Sequence, residues 1–407
     1  MSKYPSDWKS QTLGDLVTLQ RGYDLPSQNR INGEVPIMSA AGLAGYHNTS
    51  NVTGPGIVIG RSGSGFGNVH YSEQDFWAHN TALFVKDFKN NDNQFVFYIL
   101  KSIDFTKHNS GGVQPSLNRN FIYPISVGIP PLLEQRKIAK ILSTWDKAIA
   151  TTEKLIETSK QQKKALMQQL LTGKKRLVKS TSSRSVREGF ALSKIGDIPD
   201  DWEVELISKH YWYQEGPGVR KHQFTENGVK LFNGTNIQQS RIDLSNTSTY
   251  ISSEEAYGSY SHFLADSGDL VIACSGISVE RFDEKIAFIN QTHLPLCMNT
   301  STMRFKVKSE TTACLTFMRY FMMSDLFKNQ IRRQITGSAQ LNFGPSHMAK
   351  CFIPLPPLEE QKKIASVLSC ADKEVDILEA KLSHFKQEKK ALIQQLLTGK
   401  RRVSLSS

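Results

Sequence analysis

The chain contains one heptapeptide twice, Gln-Gln-Leu-Leu-Thr-Gly-Lys, at 168–174 and again at 394–400. Outward from it, the repeat reaches back to Ile-Pro-Pro-Leu at 129–132 and Leu-Pro-Pro-Leu at 355–358. At a constant offset of 226, 27 of the 49 positions in 129–177 are identical to their counterparts. A gapless match of this length indicates an internal duplication.

Each copy of the repeat predicts one long helix. The paired prolines suit a first helical turn, where a missing N–H costs nothing, and Thr-Gly followed by lysine suits a C-terminal cap. Apolar residues recur at alternating spacings of four and three, which predicts a heptad seam. Lys163 and Lys389 fall at matching seam positions, where they would lower stability but fix the register. The predicted apolar seam residues are Ile138, Leu142, Trp145, Ile149, Ile156, Leu166 and Leu170, then Ile364, Leu368, Val375, Leu378, Leu382, Phe385, Leu392 and Leu396.

The two helices are predicted to pair as an intramolecular antiparallel coiled coil. Each has about 40 residues and a length of roughly 60 Å. Antiparallel pairing leaves the basic, serine-rich linker at 174–197 little distance to cover, whereas parallel pairing sends it back along the rod. The expected shape is a pseudo-two-fold dumbbell. Two unrelated surface helices on separate domains remain the alternative.

The regions before the helices repeat only faintly. Pro-Ser-Asp-Trp at 5–8 matches Pro-Asp-Asp-Trp at 199–202 with an offset of 194, so the second region has about 32 extra residues. Strand-like runs at 56–60 and 268–273 are each followed by Ser-Gly, and helical patterns occur at 93–103 and 313–331. The predicted fold class is α+β, with two diverged globular arms of mixed helix and strand.

Charge separates the arms from the helices. The net charge is +12, but 1–128 has 10 basic and 9 acidic residues, and 197–354 has 15 and 17. The excess lies in 129–196, with 15 basic against 5 acidic residues, and in 355–407, with 10 against 7. A polyanionic partner is indicated, although the arms themselves are nearly neutral.

Composition also bears on the compartment. The chain has no run of 18 apolar residues, which predicts no membrane span, and its start lacks the apolar segment of a signal peptide. The five cysteines all lie in the second half, and their odd number and wide spacing fit neither a disulfide framework nor a zinc site. A reducing cytoplasm is predicted.

Motifs for catalysis are weak or missing. The glycine-rich stretch at 60–67 lacks Gly-Lys-Ser/Thr and does not complete Gly-x-Gly-x-x-Gly, so a structural turn is predicted, with backbone approach to a DNA strand left open. Asp-Glu-Lys at 283–285 has no recognisable second carboxylate and is interpreted as a solvated charge cluster. The histidines form no metal-ligand pattern, and no adenine-methyltransferase motif of the Asn/Asp-Pro-Pro-Tyr/Phe type occurs. A non-catalytic chain without a metal site is expected.

Polar and basic residues near predicted loops are the candidates for reading DNA. Arg, Gln and Asn form paired hydrogen bonds with base edges, each worth roughly 1–3 kcal/mol of discrimination. The candidates of the first arm are Arg21, Tyr23, Arg61, Ser62, Ser64, Asn68, Lys107, Gln114 and Arg119. Those of the second arm are Arg220, Lys221, Gln223, Asn236, Arg241, Ser275, Arg281, Arg332, Arg333 and Gln340.

These signatures together resemble a known family. Two diverged arms, each followed by Pro-Pro-Leu, Glu-Gln-x-Lys-Ile-Ala and the closing heptapeptide, are similar to the specificity (S) subunit of type I restriction–modification systems over the whole chain. The resemblance implies target-recognition domains at 1–128 and 198–354. It implies a central conserved helix at 129–173, a basic linker at 174–197, a distal conserved helix at 355–399 and a basic tail at 400–407.

The resemblance also implies partners. Each arm would bind one half of an asymmetric, bipartite site in double-stranded DNA, and the coiled coil would space the arms and dock two methyltransferase (M) subunits. Restriction (R) subunits would join through that complex. The M subunits, and not this chain, would bind S-adenosylmethionine for N6-adenine methylation. Two alternatives stay open: a specificity module of a type IIB/IIG-like system, and a tethering rod whose arms bind protein or sugar.

Overall fold

The computed structural model describes residues 4–108, 116–177, 190–245, 247–334, 340 and 342–404. The chain divides into two compact units. The first comprises Met1–Ile156 with Leu378–Ser407, and the second comprises Glu157–Ile377. Both long helices cross this division, so each unit contains one arm and a segment of each helix.

The strands of the first unit are β1 (Lys9–Thr12), β2 (Thr18–Arg21), β3 (Val35–Ser39), β4 (Gly42–His47), β5 (Gly56–Gly60), β6 (Val69–Ser72), β7 (Trp77–Ala78), β8 (Ala82–Asp87) and β9 (Ser126–Ile129). They form a four-stranded antiparallel sheet in the order β2-β8-β5-β6. A smaller sheet has the order β4-β3-β7, with β3 and β7 parallel, and β1 pairs antiparallel with β9. The helices of this unit are α1 (Leu13–Leu16), α2 (Asn93–Ser102), α3 (Arg119–Ile122) and the start of α4 (Leu132–Leu171).

The strands of the second unit are β10 (Phe190–Ser193), β11 (Gly196–Pro199), β12 (Glu203–Leu206), β13 (Tyr211–Glu215), β14 (Phe224–Thr225), β15 (Val229–Phe232), β16 (Ile237–Gln238), β17 (Arg241–Ile242), β18 (Tyr250–Ile251), β19 (Leu270–Ala273), β20 (Ile286–Phe288), β21 (Leu296–Met298), β22 (Thr302–Val307) and β23 (Phe352–Leu355). A sheet in the order β13-β22-β19-β20 corresponds to the four-stranded sheet of the first unit, and a second four-stranded sheet has the order β14-β18-β15-β21, in which β15 and β21 are parallel. The pairs β10–β11, β12–β23 and β16–β17 are antiparallel. The helices of this unit are α5 (Ile207–His210), α6 (Ser253–Tyr257), α7 (Leu315–Met323), α8 (Asp325–Gln334), α9 (Pro345–Met348) and the start of α10 (Leu358–Leu396).

Within each unit the two helix segments run antiparallel. In the first unit, Asp146 and Glu153 of α4 pair with Lys389 and Lys386 of α10, so rising numbers on one helix meet falling numbers on the other. The corresponding contacts in the second unit join Ser159 to Glu374 and Lys163 to Asp372. The structure places every predicted seam residue in a buried or partly buried position.

The helix ends also belong to the arm cores. Leu396 and Leu397 join Ile138 in the core of the first unit, and Leu170 and Leu171 lie in the core of the second. The arm that precedes one helix is therefore packed, within its own unit, against the end of the other. Burial of this kind, at about 25 cal/mol per Å² of apolar surface, is the main stabilising term.

The glutamate of the repeated Glu-Gln pair attaches each helix to an arm. Glu134 is fully buried and accepts hydrogen bonds from Trp8 Nε1 at 3.1 Å and from Arg402. In the second unit Glu360 is equally buried and accepts from Trp202 Nε1 at 3.3 Å and from Arg176. A buried carboxylate is costly unless it is paired, and in both units it is paired with a tryptophan and an arginine. The two units therefore contain the same polar cluster. The second acids of the two clusters are Asp7 and Asp201.

The structure corrects several predicted boundaries. Ile129 and Leu355 end strands, so the helices begin at Leu132 and Leu358, three residues later than predicted. The predicted linker at 174–197 is partly structured, because its last residues form the β10–β11 hairpin, and 178–189 lie outside the described residues. The predicted basic tail at 400–407 is anchored as far as it is described, since Arg402 pairs with Asp7 and Glu134.

Candidate nucleic-acid interface

One cleft in the first arm collects several predicted DNA-reading residues. It has a volume of about 630 Å³ and lies where β2 and β5 end beside the segment that leads into α3. Leu117 N donates to Arg61 O at 2.8 Å, which fixes this segment against the end of β5. The lining residues are Gln20, Arg21, Gly22, Tyr23, Asp24, Arg61, Leu83, Ser116, Leu117, Asn118 and Arg119.

The cleft is basic. Arg21, Arg61 and Arg119 are opposed by one acid, Asp24, whose carboxylate lies 3.9 Å from the Arg21 guanidinium. The guanidinium of Arg119 donates to Leu19 O at 3.0 Å, and none of its other donors is paired with a described residue. No acceptor among the described residues is paired with the Arg61 side chain. Three donor-only groups in one cavity suit a ligand rich in acceptors.

An aromatic ring stands beside these arginines. Tyr23 is 45% exposed, and its hydroxyl accepts a hydrogen bond from Gln20 Nε2 at 2.8 Å. Its ring lies 6.2 Å from Phe84, which holds it at the cleft wall. Exposed aromatic rings beside arginine are suited to stacking on nucleic-acid bases.

The glycine-rich stretch at 60–67 is a tight turn. Gly60 N donates to Asn68 O and Gly67 N to Gly60 O, and a Cβ at Gly65 would overlap the backbone of Ala40. The turn leads into strand β6, so the predicted turn is confirmed. Ser64 and Asn68 are exposed on it, and Ser62 forms a bridge to Ser116 at the cleft. Lys107 is exposed outside the cleft, 3.4 Å from Asp104, and Gln114 lies outside the described residues.

The second arm has an acid where the first has an arginine. Arg21 ends β2 opposite Leu83, which pairs with Ile59, whereas Glu215 ends β13 opposite Met303, which pairs with Ile272. Because the two sheets have the same strand order, Glu215 occupies the position of Arg21. Burial raises the pKa of the Glu215 carboxyl, and no described residue forms an ion pair with it.

The other two arginines of the cleft are also replaced. Phe343 N donates to Cys274 O at 2.9 Å, as Leu117 N donates to Arg61 O, so Cys274 stands in the position of Arg61. Helix α9 begins at Pro345 where α3 begins at Arg119. Ser275 Oγ donates to Asn342 Oδ1 at 2.9 Å beside these residues.

The remaining candidates of the second arm are dispersed. Arg332 and Arg333 are exposed at the end of α8, and Arg281 is exposed but bonded to Glu284 at 2.8 Å. Arg220, Lys221 and Gln340 are exposed elsewhere on this arm. Arg241 pairs with Asp376 on α10, which draws its side chain toward the helix.

One predicted DNA contact, Asn236, is corrected, and the amide of a second candidate, Gln223, is engaged within the arm. Asn236 is only 7% exposed; its amide donates to Asp243 O and Thr247 Oγ1 and accepts from Asn233 N. Its polar groups are therefore used inside the fold, and the assignment to DNA reading is wrong. Gln223 is engaged in a similar way, since its amide nitrogen donates to Glu255 and Tyr260.

Sequence reasoning missed Glu215, Gln20, Asp24 and Asn118. A signal for Glu215 exists, because the offset of 194 that aligns Trp8 with Trp202 also aligns Arg21 with Glu215. A search for basic and amide side chains alone misses this pairing, although carboxylates accept hydrogen bonds from cytosine.

No group of three or more His, Cys, Asp or Glu in the part of the chain that the structure describes could hold a metal ion. Asp283 pairs with Lys328 at 2.9 Å and Glu284 with Arg281, so both acids of the cluster interpreted as a solvated charge cluster form ion pairs within the arm. Among the described helices, none is long and apolar enough to cross a membrane.

Comparison with known proteins identifies the family. A family model described as type I restriction modification DNA specificity domain matches residues 5–161 and 199–387, once for each arm and the helix that follows it. The chain therefore belongs to the family of type I restriction–modification specificity subunits. Within type I systems, specificity subunits provide sequence specificity and are not catalytic.

Individual relatives agree with this assignment. The chain is 28% identical to the type I restriction enzyme MjaVIII specificity subunit of Methanocaldococcus jannaschii, covering 98% of this chain and 94% of that protein. It is 25% identical to the EcoKI specificity subunit of Escherichia coli over 50% of this chain and 43% of that protein. The crystal structure of the S subunit of the M. genitalium type I system superposes with a TM-score of 0.62 at 14% identity, covering 96% of each chain, which shows a shared fold.

Proposed function

We propose that this specificity subunit binds double-stranded DNA with both arms, and that each arm reads one half of an asymmetric, bipartite target. The observation that carries this proposal is the pair of arms itself. They share a sheet order and the same buried attachment to the helices, yet their polar side chains differ at equivalent positions. A target with two different halves requires two arms that share a fold but present different side chains to DNA.

The helices are proposed to form one antiparallel coiled coil in a dumbbell-shaped subunit, with recognition domains at 1–128 and 198–354. On this account the coil sets the spacer between the half-sites and docks two M subunits, and R subunits join through them. The M subunits bind S-adenosylmethionine and methylate adenine, in the cytoplasm, while this chain remains non-catalytic. Support comes from the surplus of basic residues on the helices and linker, where partners and DNA backbone would meet.

The test is to co-express the chain with the M subunit encoded beside it and to map modified adenines by single-molecule sequencing. The expected result is one two-part motif with a fixed, unspecified spacer, absent when the M subunit is expressed alone. Methylation at a single continuous motif, or methylation that does not depend on this chain, would contradict the proposal.

The same experiment separates the alternatives. A type IIB/IIG-like module would act with one fused enzyme polypeptide rather than with separate M and R subunits, and the comparisons do not favour it. A tethering rod would bind its ligand without nucleic acid and would leave the methylation pattern unchanged on deletion.

A further inference from the structure

Arg21 and Glu215 occupy equivalent positions in the two arms for a structural reason. Each is the last residue of the first strand of its four-stranded sheet and precedes a glycine, Gly22 or Gly216. A Cβ on either glycine would overlap a neighbouring backbone, that of His79 in the first arm or Asn299 in the second. The backbone is therefore pinned at both sites, and the preceding side chain has the same origin in each arm.

The exchange of charge covers the whole site and not one position. Arg61 and Arg119 are replaced by Cys274 and Pro345, so three guanidinium groups are exchanged for one carboxylate. The adjoining sequences at 109–115 and 335–341 do not compensate, because they contain no charged residue. One arm thus offers donors at this place, and the other offers an acceptor.

DNA bases also differ in whether they present acceptors or donors in the major groove. Guanine presents two acceptors, N7 and O6, in the major groove, and a guanidinium matches both, whereas cytosine presents the N4 amino donor to a carboxylate. Glu215 is partly buried and has no ion-pair partner among the described residues. An acceptor in that position gains most from a ligand that donates, because a buried acceptor without a donor is costly.

We infer that this shared position determines specificity in both arms, with Arg21 and Arg61 of the first arm contacting guanine and Glu215 of the second arm contacting the amino group of a base, cytosine foremost. This inference rests on the proposed function and adds to it which chemical class of base edge each arm takes. The assignment treats Arg119, already bonded to Leu19 O, as a group that positions the DNA backbone.

The first test uses variants of the full chain in complex with its M subunit. Arg21→Gln and Arg61→Gln should each relax a guanine position in one half-site, and Glu215→Gln should relax one position in the other, each by roughly 5- to 150-fold in discrimination. Lys86→Gln and Glu226→Gln are matched controls, because both side chains are exposed and neither residue belongs to the cleft or to its counterpart in the second arm. Neither control should alter the motif.

A uniform loss of methylation with an unchanged motif would overturn the inference, since it would mark these residues as phosphate contacts or as structural. The proposed function would survive that result, and it fails only if the wild-type complex has no two-part motif. Assembly with the M subunit is checked by gel filtration. If Glu215→Gln does not assemble, Glu215→Asp should keep the motif with a weaker preference at one position.

The second test leaves the protein unaltered. Binding of the wild-type complex is measured with duplexes in which 7-deazaguanine replaces each guanine of one half-site, or 2-pyrimidinone replaces each cytosine of the other. One guanine substitution should weaken binding through the loss of N7, and one cytosine substitution through the loss of the amino group. Unchanged affinity at every position would refute the assignment.

Discussion

Gly173 and Gly399 close the two long helices in the same left-handed conformation, with φ of +70° in both. Each packs against a tryptophan and a proline of the arm core, Trp202 and Pro199 in one unit and the corresponding pair in the other. A side chain at Gly173 would bring its Cβ to 2.6 Å from Pro199 Cδ. The glycine of the repeated heptapeptide is therefore required twice over, by backbone conformation and by the lack of space.

Gly173→Ala should lower the free energy of unfolding by the strain of a positive φ, about 1 kcal/mol, plus an overlap cost of about 1–3 kcal/mol. Gly276→Ala is the matched control, because Gly276 has the same φ of +70° but no described atom within 4 Å of the place that a Cβ would take. Urea unfolding of the full chain measures both. Equal losses in the two variants would show that packing against Pro199 contributes nothing.

At this scale the sequence is partly informative. The glycine caps are predictable from Thr-Gly-Lys, whereas the pairing of Arg176 with Glu360 and Asp201 is not, although Arg176 and Arg402 are identical in the repeat. Sequence identity within the repeat shows that both copies keep this arginine, but it does not show which acids the arginine pairs with. The prediction for Asn236 is wrong because the residue type alone does not show whether an asparagine amide bonds within its own loop or faces DNA.

The seam lysines of the two helices each have a defined partner. Lys389 pairs with Asp146, which also accepts from Tyr98 OH of α2 at 2.7 Å. In the second unit Lys163 pairs with Asp372, which accepts from Tyr320 OH of α7 at 2.7 Å. Burial raises the pKa of Tyr320 to about 12, so its hydroxyl stays protonated as a donor. One polar cluster thus joins both helix segments to the arm in each unit.

A double-mutant cycle on Lys163 and Asp372 should give a coupling energy of about 1–3 kcal/mol, because both side chains are largely buried and share hydrogen bonds. The control cycle uses Lys362 and Glu359 on the same helix, 3.4 Å apart and mostly exposed, where coupling below about 0.5 kcal/mol is expected. Both are measured by urea unfolding. A coupling for the buried pair no larger than the control would contradict a role in fixing the register.

The elements themselves are predicted unevenly. Strand β5 matches the predicted run at 56–60, and helix α2 lies within the predicted 93–103. The helical pattern at 313–331 is two helices, because the chain breaks at Ser324 between α7 and α8. Strand order could not be predicted, since it depends on pairings between distant residues such as Thr12 and Ser126. Part of the extra length of the second arm is the hairpin β16–β17, inserted between β15 and β18.

For the whole molecule, the distribution of charge predicts how DNA is held. The arms are nearly neutral in sequence, apart from local sites such as the first-arm cleft, and so they offer few phosphate contacts. We expect the isolated chain to bind its target weakly and with a shallow salt dependence, and the complex with M subunits to show a steeper one. The slope of log K against log[salt] changes by about 0.9 for each phosphate contact. Equal affinity and equal slope would contradict this division of labour.

We propose that the duplicated helices set the distance between the two half-sites that the arms read. Seven residues inserted after Ile156, with seven more after Ile377, lengthen both helices by two turns at the division between the units, and so leave the contacts within each unit intact. The added length is about 10 Å, close to three base pairs. A single-helix insertion is the control and should abolish methylation. In sequenced methylation sites we expect a spacer longer by about three base pairs between two unchanged half-sites. An unaltered spacer would contradict the proposal that the helices set this distance.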